Sequence, residues 1–202
     1  MPSPAVPAAT SLAVRHSMQG NRSRDTKPEI VVRTYLRKRG LSGYRLQWKK
    51  APGKPDVAYP GKRVAIFVHG CFWHRCPYCH PSTPSSNVEF WSAKFARNQA
   101  RDRRDSSELV EAGWTVVVVW ECRLKKKHLR RTMDEVAALV EYATPVKTKA
   151  DEHPGRLVVL GRTCVHGPRG LAAARIRLRS KRAAHGPRGC TEKRVQKRKG
   201  RA

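Results

Sequence analysis

Acidic side chains are scarce in this 202-residue chain: 15 Asp and Glu stand against 43 Lys and Arg, a formal charge of +28 with histidine neutral. Such an imbalance argues against a cationic partner and favours a polyanion, since phosphate backbones release counterions to clustered Lys and Arg. Long hydrophobic runs are also missing. No stretch of about 18 uncharged apolar residues occurs, which excludes a membrane-spanning helix; an acidic membrane surface stays open on charge alone, but no membrane partner is expected. Met1–Val14 lacks a basic opening and is broken by Pro2, Pro4 and Pro7, so a secretory leader is not expected and a reducing cytoplasmic setting is. Six cysteines could suggest disulfides, but their spacing does not favour them. Three of the six cysteines, Cys71, Cys76 and Cys79, fall within nine positions, a spacing that suits metal ligation better than cross-linking. The short repeat HGPRG, at 166–170 and 185–189, is too brief for a repeat architecture. With no evident self-complementary surface, a monomer is expected.

What is present is enough apolar material, 39% of residues, for one packed core. Charge divides the chain. Residues 146–202 hold 17 basic and 3 acidic residues, and residues 1–145 hold 26 and 12, so each part carries +14. The expected organisation is a flexible arm over 1–20, a folded domain over 21–145 and a basic, disordered tail over 146–202 rich in Gly, Pro, Arg and Ala. Cys164 and Cys190 in that tail have no ligand-like neighbours and receive no role.

Within the domain, Thr26-Lys27-Pro28-Glu29 reads as a capping box with proline in the first turn, opening a helix that Gly40 stops. Strands are expected over Tyr44–Trp48, Asp56–Tyr59 and Arg63–Val68, the last two joined by a hairpin-like turn at Gly61. A cysteine-rich loop follows, then a polar helix over Glu89–Glu111 ended by Gly113, a strand over Trp114–Trp120 and a helix over Met133–Tyr142. This order predicts an α/β fold, a mixed sheet flanked by helices.

Three constellations carry chemistry. Pro55-Asp56 followed by a buried strand resembles the PD-(D/E)xK arrangement of restriction-endonuclease-like folds, in which a carboxylate at a splayed sheet position holds Mg²⁺ through hard oxygen ligands. The usual second acid and lysine positions read Phe67-Val68-His69, so a histidine replaces the lysine. In His69-Gly70-Cys71-Phe72-Trp73-His74, either imidazole suits proton transfer near neutrality, and Phe72 and Trp73, with Trp91, suit either a core or a wedge that unstacks base steps. Cys71, Cys76, Cys79 and Cys122 offer four thiolates for a closed structural Zn²⁺ site, with His80 as an alternative to Cys79.

Over roughly Ser17–Tyr142 the chain resembles the very-short-patch-repair (Vsr) DNA mismatch endonucleases. The resemblance rests on Ser23-Arg24-Asp25-Thr26, Gly53-Lys54-Pro55-Asp56, His69 to His74, Glu89-Phe90-Trp91, Asn98 with Arg101 to Asp105, and Gly113-Trp114 leading to Trp120-Glu121-Cys122. It implies a restriction-endonuclease-like fold with a structural zinc loop. It also implies an enzyme that nicks the thymine strand of double-stranded DNA 5′ to a T:G mismatch left by deamination of 5-methylcytosine, and hence a functional link to a cytosine-5 methyltransferase. By motif, Asp56 would ligate Mg²⁺, helped by the backbone carbonyl of Val68. His69 and His74 would be general-base candidates, Asp102 would orient one imidazole, and Glu29 would sit nearby. Phe72, Trp73 and Trp91 would intercalate, and Cys71, Cys76, Cys79 and Cys122 would hold Zn²⁺. A non-catalytic zinc-stabilised DNA-binding protein and a nickase without mismatch specificity are the rival readings.

Overall fold

A computed structural model describes residues 22–146 and 154–160, with Leu12 and His16 singly. All of these lie in a compact unit spanning Met1–Thr163; the unit beginning at Cys164, the rest of the arm and the rest of the tail lie outside the described residues.

The elements run α1 (Lys27–Lys38), β1 (Arg45–Leu46), β2 (Val57–Tyr59), β3 (Val64–His69), α2 (Val88–Glu111), β4 (Thr115–Trp120), α3 (Lys126–Glu141) and β5 (Arg156–Leu160). The strands form one mixed sheet in the order β1-β2-β3-β4-β5; the pairs β1–β2 and β2–β3 are antiparallel, while β3, β4 and β5 run parallel. The fold is therefore α/β as expected, with helices covering the sheet.

Alternation along β3 and β4 builds two apolar layers, because successive side chains leave a strand on opposite faces. Val64, Ile66, Val117 and Val119 pack with Val32 and Leu36 of α1 and with Met133, Val136 and Val140 of α3. On the other face, Ala58, Ala65, Val116 and Val118 pack with Leu109 of α2, Trp114 and the buried Cys71 and Cys76. Both faces are covered, which explains the near-continuous valine run of β4. Among the described residues no helix is long and apolar enough to cross a membrane.

Several elements differ from the sequence expectation. The strand expected over Tyr44–Trp48 pairs regularly only at Arg45–Leu46, because Gln47 adopts a left-handed backbone (φ 44°). The turn at Gly61 is a 3-10 turn over Pro60–Lys62 whose left-handed residue is Arg63 (φ 48°), not the glycine. Helix α3 starts at Lys126 rather than Met133, its first turns masked by a run of basic residues. Residues 156–160 fall in the stretch expected to be disordered tail. They instead form β5, because Leu157-Val158-Val159-Leu160 can pair with β4 and bury Leu160 in the core.

The site follows from this topology. β3 and β4 are parallel, with His69 opposite Trp120, so their C-terminal ends open on one edge of the sheet, where parallel sheets usually bind ligands.

Candidate active site

A cleft of about 1100 Å³ lies at that edge, and Glu29, Asp56, Val68, His69, His74 and Asp102 all line it. Asp56 stands just before β2. Its Oδ1 accepts a hydrogen bond from Gln47 Nε2 and its Oδ2 one from the Val68 backbone N–H, both at 2.7 Å. Burial pushes its pKa up from 3.8 to about 6, against these two donors, and the charge of Glu29 adds to the rise.

Glu29 is 6% exposed and closes the capping box of α1. It accepts from Thr26 Oγ1 at 2.7 Å and from the Asp25 N–H at 3.0 Å. The capping reading and the cleft reading thus apply to one side chain. Two acids, the buried Glu29 and the partly buried Asp56, line this cleft in a chain that is otherwise strongly basic. In a strand the N–H and C=O of one residue leave on the same edge, so the Val68 carbonyl faces the side of Asp56. These donors are all oxygen, the set a hard divalent cation prefers, and a cation would offset the repulsion between the acids. The residues therefore fit Mg²⁺.

The imidazoles line the same cleft. His74 Nδ1 lies 2.5 Å from Asp102 Oδ2, and its ring stacks on that of His69 with centroids 4.1 Å apart and planes 9° from parallel. His69 is 8% exposed and also meets Trp120 edge-on. Burial, reinforced by any charge on His74, lowers the His69 pKa to about 4, so His69 is a neutral platform near pH 7. Burial alone would raise Asp102, but the hydrogen bond and charge of His74 outweigh it and hold the carboxyl below its ordinary value. The Asp102 bond assigns the proton of neutral His74 to Nδ1 and leaves Nε2 as an acceptor.

Helix α2 supplies Asp102 by simple periodicity. Asn98, four residues earlier on the same face, donates from Nδ2 to the Trp73 carbonyl at 3.0 Å, so one face of α2 grips the loop at both Trp73 and His74.

The same loop carries the rings. Phe72, Trp73 and Trp91 are each half-buried, over a buried Phe95. Phe72 meets Trp73, Phe95 and Trp91 edge-on at 5.1, 5.2 and 5.5 Å. Trp73 and Trp91 are 6.0 Å apart, and Lys94 Nζ lies 5.2 Å from the Trp73 centroid. They are neither sealed in the core nor free of one another. Arg75 stacks 4.6 Å over Phe95 and donates to the Pro81 and Ser82 carbonyls and to Thr83, tying the loop beneath the rings.

The thiols of Cys71, Cys76, Cys79 and Cys122 form one group, their sulfurs all within 4.8 Å of one another. Cys76 and Cys122 Sγ are 3.8 Å apart, matching the edge of a tetrahedron with metal–sulfur bonds of about 2.3 Å. Cys79 joins the group although exposed, and His80 does not. Burial works against the Cys76 thiolate, but the N–H groups of Tyr78 and Cys79 outweigh it and lower its pKa. Burial raises Cys71, and raises Cys122 to about 11. Four soft donors in this array fit Zn²⁺.

Sequence reasoning missed Gln47 on the Asp56 carboxylate, the loop pin Arg75, and Glu121, whose Oε2 accepts the Cys71 N–H at 3.2 Å. It gave no role to the buried Asp105, whose Cβ lies 2.8 Å from where a Gly53 side chain would begin. Gln47 was readable in principle: the β1–β2 register of Arg45 with Ala58 and Leu46 with Val57 continues to Gln47 opposite Asp56.

Comparison with known proteins bears on this site. The profile of the family described as DNA mismatch endonuclease Vsr matches residues 10–79. A type II nicking enzyme, V.XorIIP of Xanthomonas oryzae pv. oryzae, is 44% identical over 110 residues, covering 54% of this chain and 80% of the relative. The type II nicking enzyme V.NmeAIP of Neisseria meningitidis is 42% identical over 54% of this chain and 77% of its own length. The DNA mismatch endonuclease Vsr of Escherichia coli K12 is 42% identical over 110 residues, covering 54% of this chain and 69% of its own length.

Proposed function

The chain belongs to the Vsr family of DNA endonucleases, and from that premise we propose that it nicks the thymine strand of a DNA duplex on the 5′ side of a T:G mismatch, using Mg²⁺. The observation that carries this reading is the convergence, in one cleft, of the Asp56–Glu29 acid pair and the Asp102-oriented His74, beside a half-exposed cluster of flat rings. Such mismatches arise where 5-methylcytosine deaminates, so the enzyme would work alongside a cytosine-5 methyltransferase.

A phosphodiester resists hydrolysis because nucleophile and phosphate are both anionic. Asp56, with Glu29 and the Val68 carbonyl, would hold a Mg²⁺ ion that supplies charge neutralisation and polarises the phosphate when bound. His74 Nε2 takes a proton from the attacking water, and Asp102 stabilises the imidazolium that results. His69 acts as the buried platform that fixes the plane of that ring. Zn²⁺ on the four cysteines would anchor the loop that carries both His74 and the wedge. Phe72, Trp73 and Trp91 enter where stacking is weakest, and a wobble pair is easier to unstack than a matched one.

A second reading, a nickase that does not require the mismatch, is favoured by one observation: several relatives carry the description type II nicking enzyme. Nicking of matched and T:G duplexes, with Mg²⁺ and with EDTA, separates the readings. The proposal expects cutting of the T:G strand only, abolished by EDTA and restored by Mg²⁺. Equal cutting of both duplexes supports the mismatch-independent nickase, and binding without cutting supports a bare DNA-binding module.

A further inference from the structure

Among the described residues Asp56 has two direct hydrogen-bond partners, and neither is charged. In a chain with 43 Lys and Arg, its oxygens are held by a backbone N–H and by the neutral amide of Gln47, each at 2.7 Å. A lysine or arginine there would satisfy the carboxylate's charge and occupy the space of a cation; an amide fixes its orientation and leaves its charge uncompensated. A carboxylate offers about four lone-pair directions, and these two bonds use one on each oxygen. Gln47 reaches this position at a conformational cost. It continues the β1–β2 register opposite Asp56, its N–H donating to the Asp56 carbonyl at 3.4 Å, yet its φ of 44° lies in the left-handed region that a side chain with a Cβ rarely adopts. Gln47 is one of seven non-glycine residues with positive φ among those described, and its side chain ends on a cleft carboxylate.

We infer that Gln47 is a positioning residue that sets the Asp56 carboxylate for a divalent cation, its amide fixing the carboxylate plane together with the Val68 N–H. The inference rests on the reading of Asp56 as the cation's ligand. A partner of this kind typically changes metal affinity by about 10–100-fold.

The test is Mn²⁺ binding to the zinc-loaded full chain, followed by electron paramagnetic resonance of free Mn²⁺, for the wild type, Asp56→Ala, Gln47→Gly and Gln47→Asn. Glycine removes the amide and relaxes the left-handed backbone. Asparagine also tolerates that backbone, but its shorter amide falls short of Oδ1, so it carries the test should glycine unfold the hairpin. The expected result is loss of binding in Asp56→Ala and a Mn²⁺ dissociation constant raised at least about tenfold in Gln47→Gly, with a melting temperature equal to or above that of the wild type. The Mg²⁺ concentration for half-maximal nicking rises in parallel. Wild-type Mn²⁺ affinity in Gln47→Gly and Gln47→Asn overturns the inference and leaves Asp56 as the ligand. Undiminished binding in Asp56→Ala overturns the ligand assignment and the inference with it.

Discussion

The inner wall of the cleft and the ring cluster beside it, which reaches the cleft through Trp73, are built on different principles. On the inner wall every polar group is fixed: Asp56 by Gln47 and Val68, Glu29 by Thr26 and Asp25, and His74 by Asp102 and the His69 ring. On the rim, Phe72, Trp73 and Trp91 hold one another mainly by edge-on and tilted contacts of 5.1–6.0 Å, partly open to solvent, with Lys94 over the faces of Trp73 and Trp91. Hydrolysis needs groups that do not reorganise, whereas selecting a weakly stacked step needs rings that can leave one set of neighbours for another. Under the proposed function, the difference predicts that rate and selectivity can be separated, although a single loop carries both His74 and Trp73.

The largest effect expected is at Asp56. Asp56→Asn should abolish nicking of T:G and matched duplexes alike, a loss of at least about a thousandfold if it supports the catalytic cation. The same change should stabilise the protein in the absence of divalent cations. Asp56 has a folded pKa of about 6 against an ordinary 3.8, so its protonated form favours folding. That contribution is full below about pH 3.8 and is lost as the pH rises through 6. At pH 8 without added cation, Asp56→Asn should therefore unfold later than wild type by at most about 3 kcal/mol, the difference shrinking to nothing near pH 4 in denaturant titrations.

Removing the clamp should damage both regions together. Cys76→Ser is expected to lose zinc, measured by metal analysis, and to lower the melting temperature and both the rate and the selectivity of nicking. A variant that lost zinc and kept the wild-type ratio of T:G to matched cutting would show that the clamp does not position the rings.

Asp102→Asn should act on the inner wall alone. With the His74 ring less well oriented, single-turnover nicking should fall by about 10²–10⁴-fold, while affinity for a T:G duplex changes little. A large loss of affinity would move Asp102 from the chemistry to the DNA contact.

The smallest effects belong to the rim. Trp73→Ala and Trp91→Ala should each lower the preference for T:G over matched DNA by about 10-fold, in line with about 1–3 kcal/mol per stacked base. Cutting per bound complex should change less.

Much of the inner wall was legible before the structure because it is local. The capping box at Thr26–Glu29, the Pro55-Asp56 pair and the HGCFWH segment are short patterns whose physical sense does not depend on distant residues. The cysteine group was legible by spacing, and only folding could bring the exposed Cys79 into reach of Cys122. What stayed hidden depends on register. Gln47 means nothing until β1 is aligned with β2, and the strand at Arg156–Leu160 was obscured by the surrounding charge until β4 offered it a partner. The start of α3 was masked in the same way, since Lys126, Lys127, Arg130 and Arg131 leave its buried stripe, Thr132 and Met133 onward, as the visible signal. The pairing of His74 with Asp102 spans 28 positions and was suggested by resemblance alone, though the four-residue step from Asn98 to Asp102 on α2 gives it a geometric cause.

The separation of rate from selectivity is tested most directly by single-turnover nicking of paired T:G and matched duplexes by the wild type, Asp102→Asn and Trp73→Ala under the same conditions. The account predicts that Asp102→Asn slows both duplexes by the same factor, while Trp73→Ala lowers the ratio of T:G to matched cutting. A ratio unchanged in Trp73→Ala, or altered equally in both variants, would contradict it.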